Sequence, residues 1–424
     1  MKFTAAGDAC IQRRLPETYD GFEKVKEFIE KGDARFFNFE TTVNKDCYAA
    51  NQSGGTWLRT SPEVLNDTKK FGFNMTTVCN NHSFDFGFDG LLQTVDYLDK
   101  SGYVHAGAGR NLSEAAAPKY IDLPDGRVAL IACCTSFSPE APAGYQSRRL
   151  PGRPGINTVG VKQTVMVSAE ELEMIKSVAK KTGINAGRDI RRSEGYLQPL
   201  AEGYAELGDM VFKTGDVDKV ESVTAASDVA RIESMIEEAK FQADYVIVSV
   251  HSHQIEGGAK EIVPEFLKKF CRHLVDLGVH AVIGHGPHLL RPMEIYNGRP
   301  IFYSLGDFML QLENVECAPE DFYIKQGLSS DENLYQLFKK RTHNFTKSLQ
   351  SQKVMLEAVI PYFEFDGDKL TKIELLPIEL GYGMKHSRVG LPRFDKSGEI
   401  IKRFADMCKD VEIKIENGIG KVVL

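Results

Sequence analysis

Five of the ten histidines in this 424-residue chain fall where an apolar run ends, and carboxylates or asparagines stand at the ends of the others. The densest stretch is residues 279–308. There the apolar run 281–283 leads into Gly284-His285-Gly286-Pro287-His288, which puts two imidazoles three apart on a turn that Gly and Pro keep from becoming helix. Histidines on a stiff, small-residue loop hold a transition metal rigidly. Four other runs finish in the same chemistry: Gly7-Asp8, Asn38-Phe39-Glu40, Asn80-Asn81-His82 and His251-Ser252-His253. Asp, Glu, Asn and neutral His form an oxygen and nitrogen ligand set suited to Mn, Fe, Zn or Ni, and to two ions if all the groups converge. Two ions sharing a hydroxide give a nucleophile at neutral pH, so the chemistry is hydrolysis of a phosphoester or, less often, an amide. His82, next to Asn81, could protonate a leaving group.

Taken singly, these residues are ordinary. An Asp after Gly usually caps a turn, Asn-Asn is a common turn former, and one lone His is more often structural. Their joint placement at successive strand ends is what accident does not produce. In 251–253 two His share a face by strand alternation, so His253 can support a ligand rather than be one.

The elements that must position them alternate. Strand-like runs at 2–6, 34–39, 75–79, 127–134 and 245–250 are separated by helical spacing at 18–31, after Ser61-Pro62-Glu63, after Asp85-Phe86-Gly87, and at 228–241 and 264–277. Strand–helix alternation with apolar strands predicts a largely parallel sheet flanked by helices, with the ligand beyond the strands' carboxyl ends. The rhythm breaks at 138–226, rich in Pro and Arg and then in Gly, which reads as an insertion over the open end of a single domain spanning 1–424. Residues 311–352 are polar and helical in tone, a hairpin turns at Asp366-Gly367 within 354–380, and a last helix covers 399–410.

A net charge of −7 and a pI near 5.9 disfavour nucleic acid and anionic membranes, which require a basic surface. No CxxC pair occurs, and Cys79, Cys133 and Cys134 in apolar runs read as buried free thiols. With no signal peptide and no apolar run near the ~20 residues of a membrane span, a cytoplasmic location is expected.

Gly7-Asp8, Asn38-Phe39-Glu40, Asn80-Asn81-His82 with Asp85-Phe86-Gly87, Val250-His251, Gly284-His285-Gly286-Pro287-His288 and Tyr303-Ser304-Leu305-Gly306-Asp307-Phe308 follow one another in a recognisable order. The set resembles the bacterial capsule-synthesis, poly-gamma-glutamate (CapA) proteins, a branch of the calcineurin-like metallophosphoesterases. The resemblance implies a four-layer α/β/β/α sandwich, here with a lid-like insertion, and a centre of two divalent transition metal ions (Mn, Fe or Zn). It implies Asp8, Glu40, Asn81, His251, His285 and His288 as ligands, and His82 in catalysis. His253, Asp85 and Asp307 would support the ligands or meet the substrate. The chain departs from the wider superfamily in three places. Asp8 is followed by Ala9-Cys10 instead of x-His, so one ligand is missing; Glu40 replaces the bridging Asp; and the final Gly-His-x-His is longer by one residue. Asp307 also stands where the branch more often has Asn.

Arg59 and Arg153 could hold an anionic substrate, since forked guanidiniums suit carboxylates and phosphates. The expected function is a metal-dependent hydrolase acting on a small or polymeric anionic substrate. A non-catalytic component of capsule assembly and a metal-assisted epimerase are the alternatives.

Overall fold

The computed structural model describes residues 1–45, 49–51, 55–217, 219–312 and 318–424. They form two compact units: Met1–Val159 with Ala230–Leu424, and Gly160–Val229.

The larger unit is built on two sheets. The first has ten strands and grows around the opening strand, Lys2–Cys10. On one side this strand runs parallel to Ala34–Asn38, then Met75–Thr77 and Val104–Ala106. On the other it pairs antiparallel with Glu357–Asp366, whose hairpin partner is Lys369–Glu379. The hairpin at Asp366-Gly367 therefore extends the sheet of the first strand, not the one that carries His251 and His285. The second sheet orders Leu290–Tyr296, Arg299–Leu305, Ala281–His285, Tyr245–His251, Gly126–Cys134 and Lys119–Leu123.

The sheets meet through aromatic rings. Phe3 stacks on Phe363 at 5.0 Å, and each reaches a ring of the opposite sheet, Phe3 to Tyr245 at 5.8 Å and Phe302 to Phe363 at 5.9 Å. Strands buried on both faces explain the continuous apolar runs, such as 128–134 and 245–250. Helices close the outer faces with one apolar stripe each. Glu265–Asp276 buries Phe266, Leu267, Phe270, Cys271, Leu274 and Val275, the spacing of one helical face. Gly87–Ser101 stops at Gly102, whose φ of 76° takes the chain out of the helix. The result is the α/β/β/α sandwich that the family resemblance implies; the strand–helix rhythm alone predicts one largely parallel sheet, where the structure has two, the first of them mixed.

The smaller unit begins later than the predicted insertion: residues 138–159 belong to the larger unit, and Gly160–Val229 stands as its own body. Its Gly-punctuated part is regular. Tyr204–Leu207, Met210–Thr214 and Lys219–Thr224 join Val161–Val167 in a four-stranded sheet, the glycines serving as turns at φ 78° (Gly203) and 62° (Gly208). A helix, Ala169–Thr182, is capped by the reciprocal Ser168–Glu171 pair and packs Leu172 on Ala205 and Phe212. Of the polar stretch 311–352, residues 313–317 lie outside the described residues. The rest gives two short helices, Glu320–Lys325 and Leu334–Arg341, and one 3₁₀ turn, Leu349–Ser351. No helix of the described residues is long and apolar enough to cross a membrane.

Candidate metal centre

Strand register brings the predicted residues together. Asp8 lies opposite Asn38 on one neighbour and Asp307 on the other, while His251 lies opposite His285 in the second sheet. The close approach depends on Gly7, where a Cβ would sit 1.8 Å from the Gly306 carbonyl oxygen. The turn after the second-sheet strand is equally tight. Gly286 adopts φ 115° against the Ser252 backbone and donates its N–H to Asp8 Oδ2 at 2.9 Å. His288 itself is held at φ 58°, an uncommon conformation for a residue with a Cβ.

Glu40 is the hub. It is fully buried, and apart from the neighbouring Cys10 thiol nothing partners its carboxylate oxygens. Four imidazoles aim Nε2 at its Oε1: His251 at 3.7 Å, and His82, His253 and His288 at 3.9 Å each. These gaps are too long for hydrogen bonds. They are near the spacing of two donors on one cation, which sits about 2.0–2.2 Å from each. The Nε2 of buried His285 and the Oδ2 of Asp307 also lack partners, while His285 Nδ1 lies 3.2 Å from Asp8 Oδ1. So many orphaned buried donors and acceptors at one point would be costly without a ligand between them. The donor set fits one or more divalent cations. Asp8, His288 and Asp307 form one group of converging ligand atoms, Glu40, His251 and His253 a second, and Cys10, Glu40 and His288 a third, each within 4.8 Å.

Without an ion the imidazoles of the cluster divide: His288 keeps its proton, which an ion would have to displace, and His251 and His253 are neutral. Burial pushes the Glu40 carboxyl well above its ordinary value, and Asp8 adds to this while His288 opposes it. Burial would lower His288, but Asp307 and Glu40 outweigh it and push the imidazole up to about 10. Burial lowers His251 to about 3 and takes His253 well below its usual value, so both are neutral, as ligands must be. Asp8 is opposed by burial too, yet His285, His251 and His288 hold its carboxyl far down.

Around this hub, amides fix the side chains. Asn38 Nδ2 donates to Asp8 Oδ1 at 2.7 Å and lies 3.2 Å from His251 Nδ1. Asn80 Nδ2 donates to Asn38 Oδ1 and to the Phe39 carbonyl, tying the second and third strand ends together. Asn81 Oδ1 sits 2.7 Å from His251 Nε2 and 2.9 Å from His253 Nε2. His82 Nδ1 is 2.7 Å from Asp85 Oδ2, which also accepts from the Leu58 N–H. Asp85 therefore fixes the ring and leaves Nε2 toward the hub.

The centre opens into a cavity of about 1340 Å³ whose floor includes Cys10, Asn81, His82, Asp85, His253 and His288. Its walls come from residues 334–351 and 382–389, with Phe338, Phe345 and Tyr335 beside Arg341 and Lys347. The predicted anion-binding arginines are not brought here. Arg59 lies in a two-residue strand paired with Thr42–Val43, and Arg153 donates Nε to the Pro142 carbonyl, holding its own loop. Three features escape sequence reasoning. Cys10 was read as the gap where a ligand is missing, yet its sulfur lies in the cluster. Asn38 is the amide that joins Asp8 to His251, and its only signal was its place beside Glu40. The cavity wall falls in a stretch with no motif.

Two facing sheets whose adjoining strand ends gather histidines and carboxylates define an α/β sandwich with a buried metal-binding type of centre. The chain belongs to the family described as bacterial capsule synthesis protein PGA_cap, whose model matches residues 2–311. It is 30% identical to the uncharacterized protein y4sH of Sinorhizobium fredii, over 99% of this chain and 92% of that one. It is 24% identical to the PGA biosynthesis protein CapA of Bacillus subtilis, over 68% of this chain and 56% of that one. A probable polyglutamine synthesis accessory protein of Mycobacterium tuberculosis is 25% identical over 67% of this chain and 57% of its own length.

Proposed function

We propose that this protein is a metal-dependent hydrolase of the calcineurin-like type, acting on an anionic phosphoester or carboxylate-rich substrate at a two-ion centre. The observation that carries the reading is the convergence of four imidazoles on the buried Glu40 carboxylate at the floor of a large cavity. Asp8, Glu40, His251 and His288 would hold the ions, with His253 and Asp307 as further donors; Asn81, whose Oδ1 lies beside His251 and His253, and buried His285 beside Asp8 would complete the set. When bound, such ions polarise the scissile group and lower the pKa of water to near neutrality.

The chain's own residues do the rest. With Nδ1–H held by Asp85, the doubly protonated His82 ring would give its Nε2 proton to the leaving oxygen and return to the neutral Nδ1–H form. Asn38 and Asn80 keep the strand ends from separating, which holds the donors in place before substrate arrives. Arg341 and Lys347 supply positive charge on the wall, and Phe338, Phe345 and Tyr335 an apolar surface beside it. That combination suits a substrate with an anionic group and an apolar or extended body. The names of the CapA relatives make a poly-gamma-glutamate-like substrate one member of that class.

The test is elemental analysis after loading with Mn²⁺ or Zn²⁺ and desalting, followed by a screen of aryl phosphodiesters, phosphomonoesters and gamma-glutamyl oligomers. Two ions per chain and turnover that His82→Ala lowers by about 10²- to 10⁴-fold, with metal retained, are expected. Bound metal without turnover of any of these would favour a structural centre in capsule assembly.

A further inference from the structure

The sequence pattern leaves a gap at the third position of Asp8-Ala9-Cys10, where the wider superfamily has a histidine ligand. The structure does not leave a gap in space. Cys10 ends the opening strand two residues beyond Asp8, the spacing that returns a side chain to the same face. Its Sγ, a ring nitrogen of His288 and a carboxylate oxygen of Glu40 lie within 4.8 Å of one another. Cys10 is fully buried, borders the cavity floor and forms no disulfide. The second observation is Glu40 itself: wholly buried, with nothing but the adjacent Cys10 thiol to partner its carboxylate.

We propose that Cys10 is a thiolate ligand of the centre, taking the place of the missing histidine and giving the site a softer metal preference than an all-oxygen-and-nitrogen centre has. This rests on the reading of the cluster as a metal centre. On binding, the S–H proton leaves to solvent and a sulfur–metal bond replaces it, so no oxidant or reductant is involved. Of the metals the sequence left open, a thiolate favours Zn²⁺ and Fe²⁺ over Mn²⁺. Among the described residues, no thiol other than Cys10 falls in a group of converging ligand atoms, and three of the others are engaged elsewhere. Cys79 donates to the Asn157 carbonyl, Cys134 to the Ser136 carbonyl, and Cys408 accepts from the Met293 N–H.

The experiment titrates the metal-free full chain with Co²⁺ under a non-thiol reductant and reads the near-ultraviolet thiolate-to-cobalt charge-transfer band. Bound metal is counted in parallel, and Zn²⁺ is competed against Mn²⁺. Wild type is compared with Cys10→Ser and Cys10→His, and circular dichroism checks that each variant folds. Expected are a band in wild type that both variants lose, and Zn²⁺ affinity lower by about 100-fold or more in Cys10→Ser. Cys10→His is expected to keep its metal count while its preference moves toward Mn²⁺. Metal bound without the band in wild type, a band surviving in Cys10→Ser, or unchanged Zn²⁺ affinity overturns the assignment and leaves the hydrolase reading standing. No metal uptake by wild type removes both.

Discussion

Replacing Glu40 by Gln keeps the side chain's length and removes its charge, which separates two opposite effects of this carboxylate. In the metal-free protein the group is buried with no partner but the Cys10 thiol, and burial, reinforced by Asp8, pushes its pKa well above the ordinary 4.5. An unfolded chain releases this proton near the ordinary value, whereas the folded chain holds it to higher pH. Between those two points the folded state binds more protons, so stability falls as pH rises. At about 1.36 kcal/mol per pH unit, acting from the ordinary value up to neutrality, the loss at pH 7 is at most roughly 3 kcal/mol. Glu40→Gln abolishes it. The metal-free variant is therefore expected to be more stable than metal-free wild type at pH 7, by up to that amount, and equal to it near pH 4. With divalent metal present the order reverses, because a ligand that binds only the folded state stabilises it and the variant has lost the central anion. Thermal unfolding of both proteins at the two pH values, with and without metal, and metal counts on the same samples read this directly. A metal-free variant less stable than wild type at pH 7, or one that keeps its full metal complement, refutes the placing of Glu40 at the hub.

Other perturbations have equally definite outcomes. Asp85→Asn keeps the Leu58 contact but weakens the hold on His82, so turnover should fall about 10-fold or more with metal content unchanged; equal rates would remove Asp85 from the mechanism. Gly7→Ala drives a Cβ against the Gly306 carbonyl oxygen and should lower stability by more than about 3 kcal/mol, read as a large drop in thermal midpoint; an unchanged midpoint would show that the two strands can separate there. Asp67 is buried and accepts from Arg14 Nε at 2.6 Å and from the Leu15 N–H at 2.9 Å. Burial opposes its ionisation, but Arg14, Leu15 and Lys70 outweigh it and hold the carboxyl below 3.8. Its contribution is present above pH 3.8 and lost as pH falls through the lower folded value. Asp67→Asn should thus cost about 1.5–3 kcal/mol at pH 7 and almost nothing near pH 2, a convergence that unfolding curves at the two pH values would test.

The chain's own pattern of residues already determined much of this. Apolar runs closing on Asp8, Glu40, Asn81, His251 and His285 specify both a buried sheet and where its polar ends must gather, because a strand buried on both faces has nowhere else to place a ligand. Helix stripes and glycine stops are local and equally legible, as at Glu265–Asp276 and Gly102. Only the tertiary structure decided what depends on distance through space. Cys10 looked like a missing ligand until register set it beside Glu40 and His288. Arg59 and Arg153 read as anion binders, but neither lines the cavity, while Arg341 and Lys347, in a stretch without any motif, do. The glycines of 203–215 read as a break in rhythm and are the turns of a small sheet: Tyr204–Leu207 and Met210–Thr214 form a local hairpin, but the strand that completes the sheet, Val161–Val167, pairs with residues 47 positions away, which no local signal encodes. Spacing along a chain fixes which face a side chain takes; which other faces it meets is set by strand order and register, and those are properties of the folded whole.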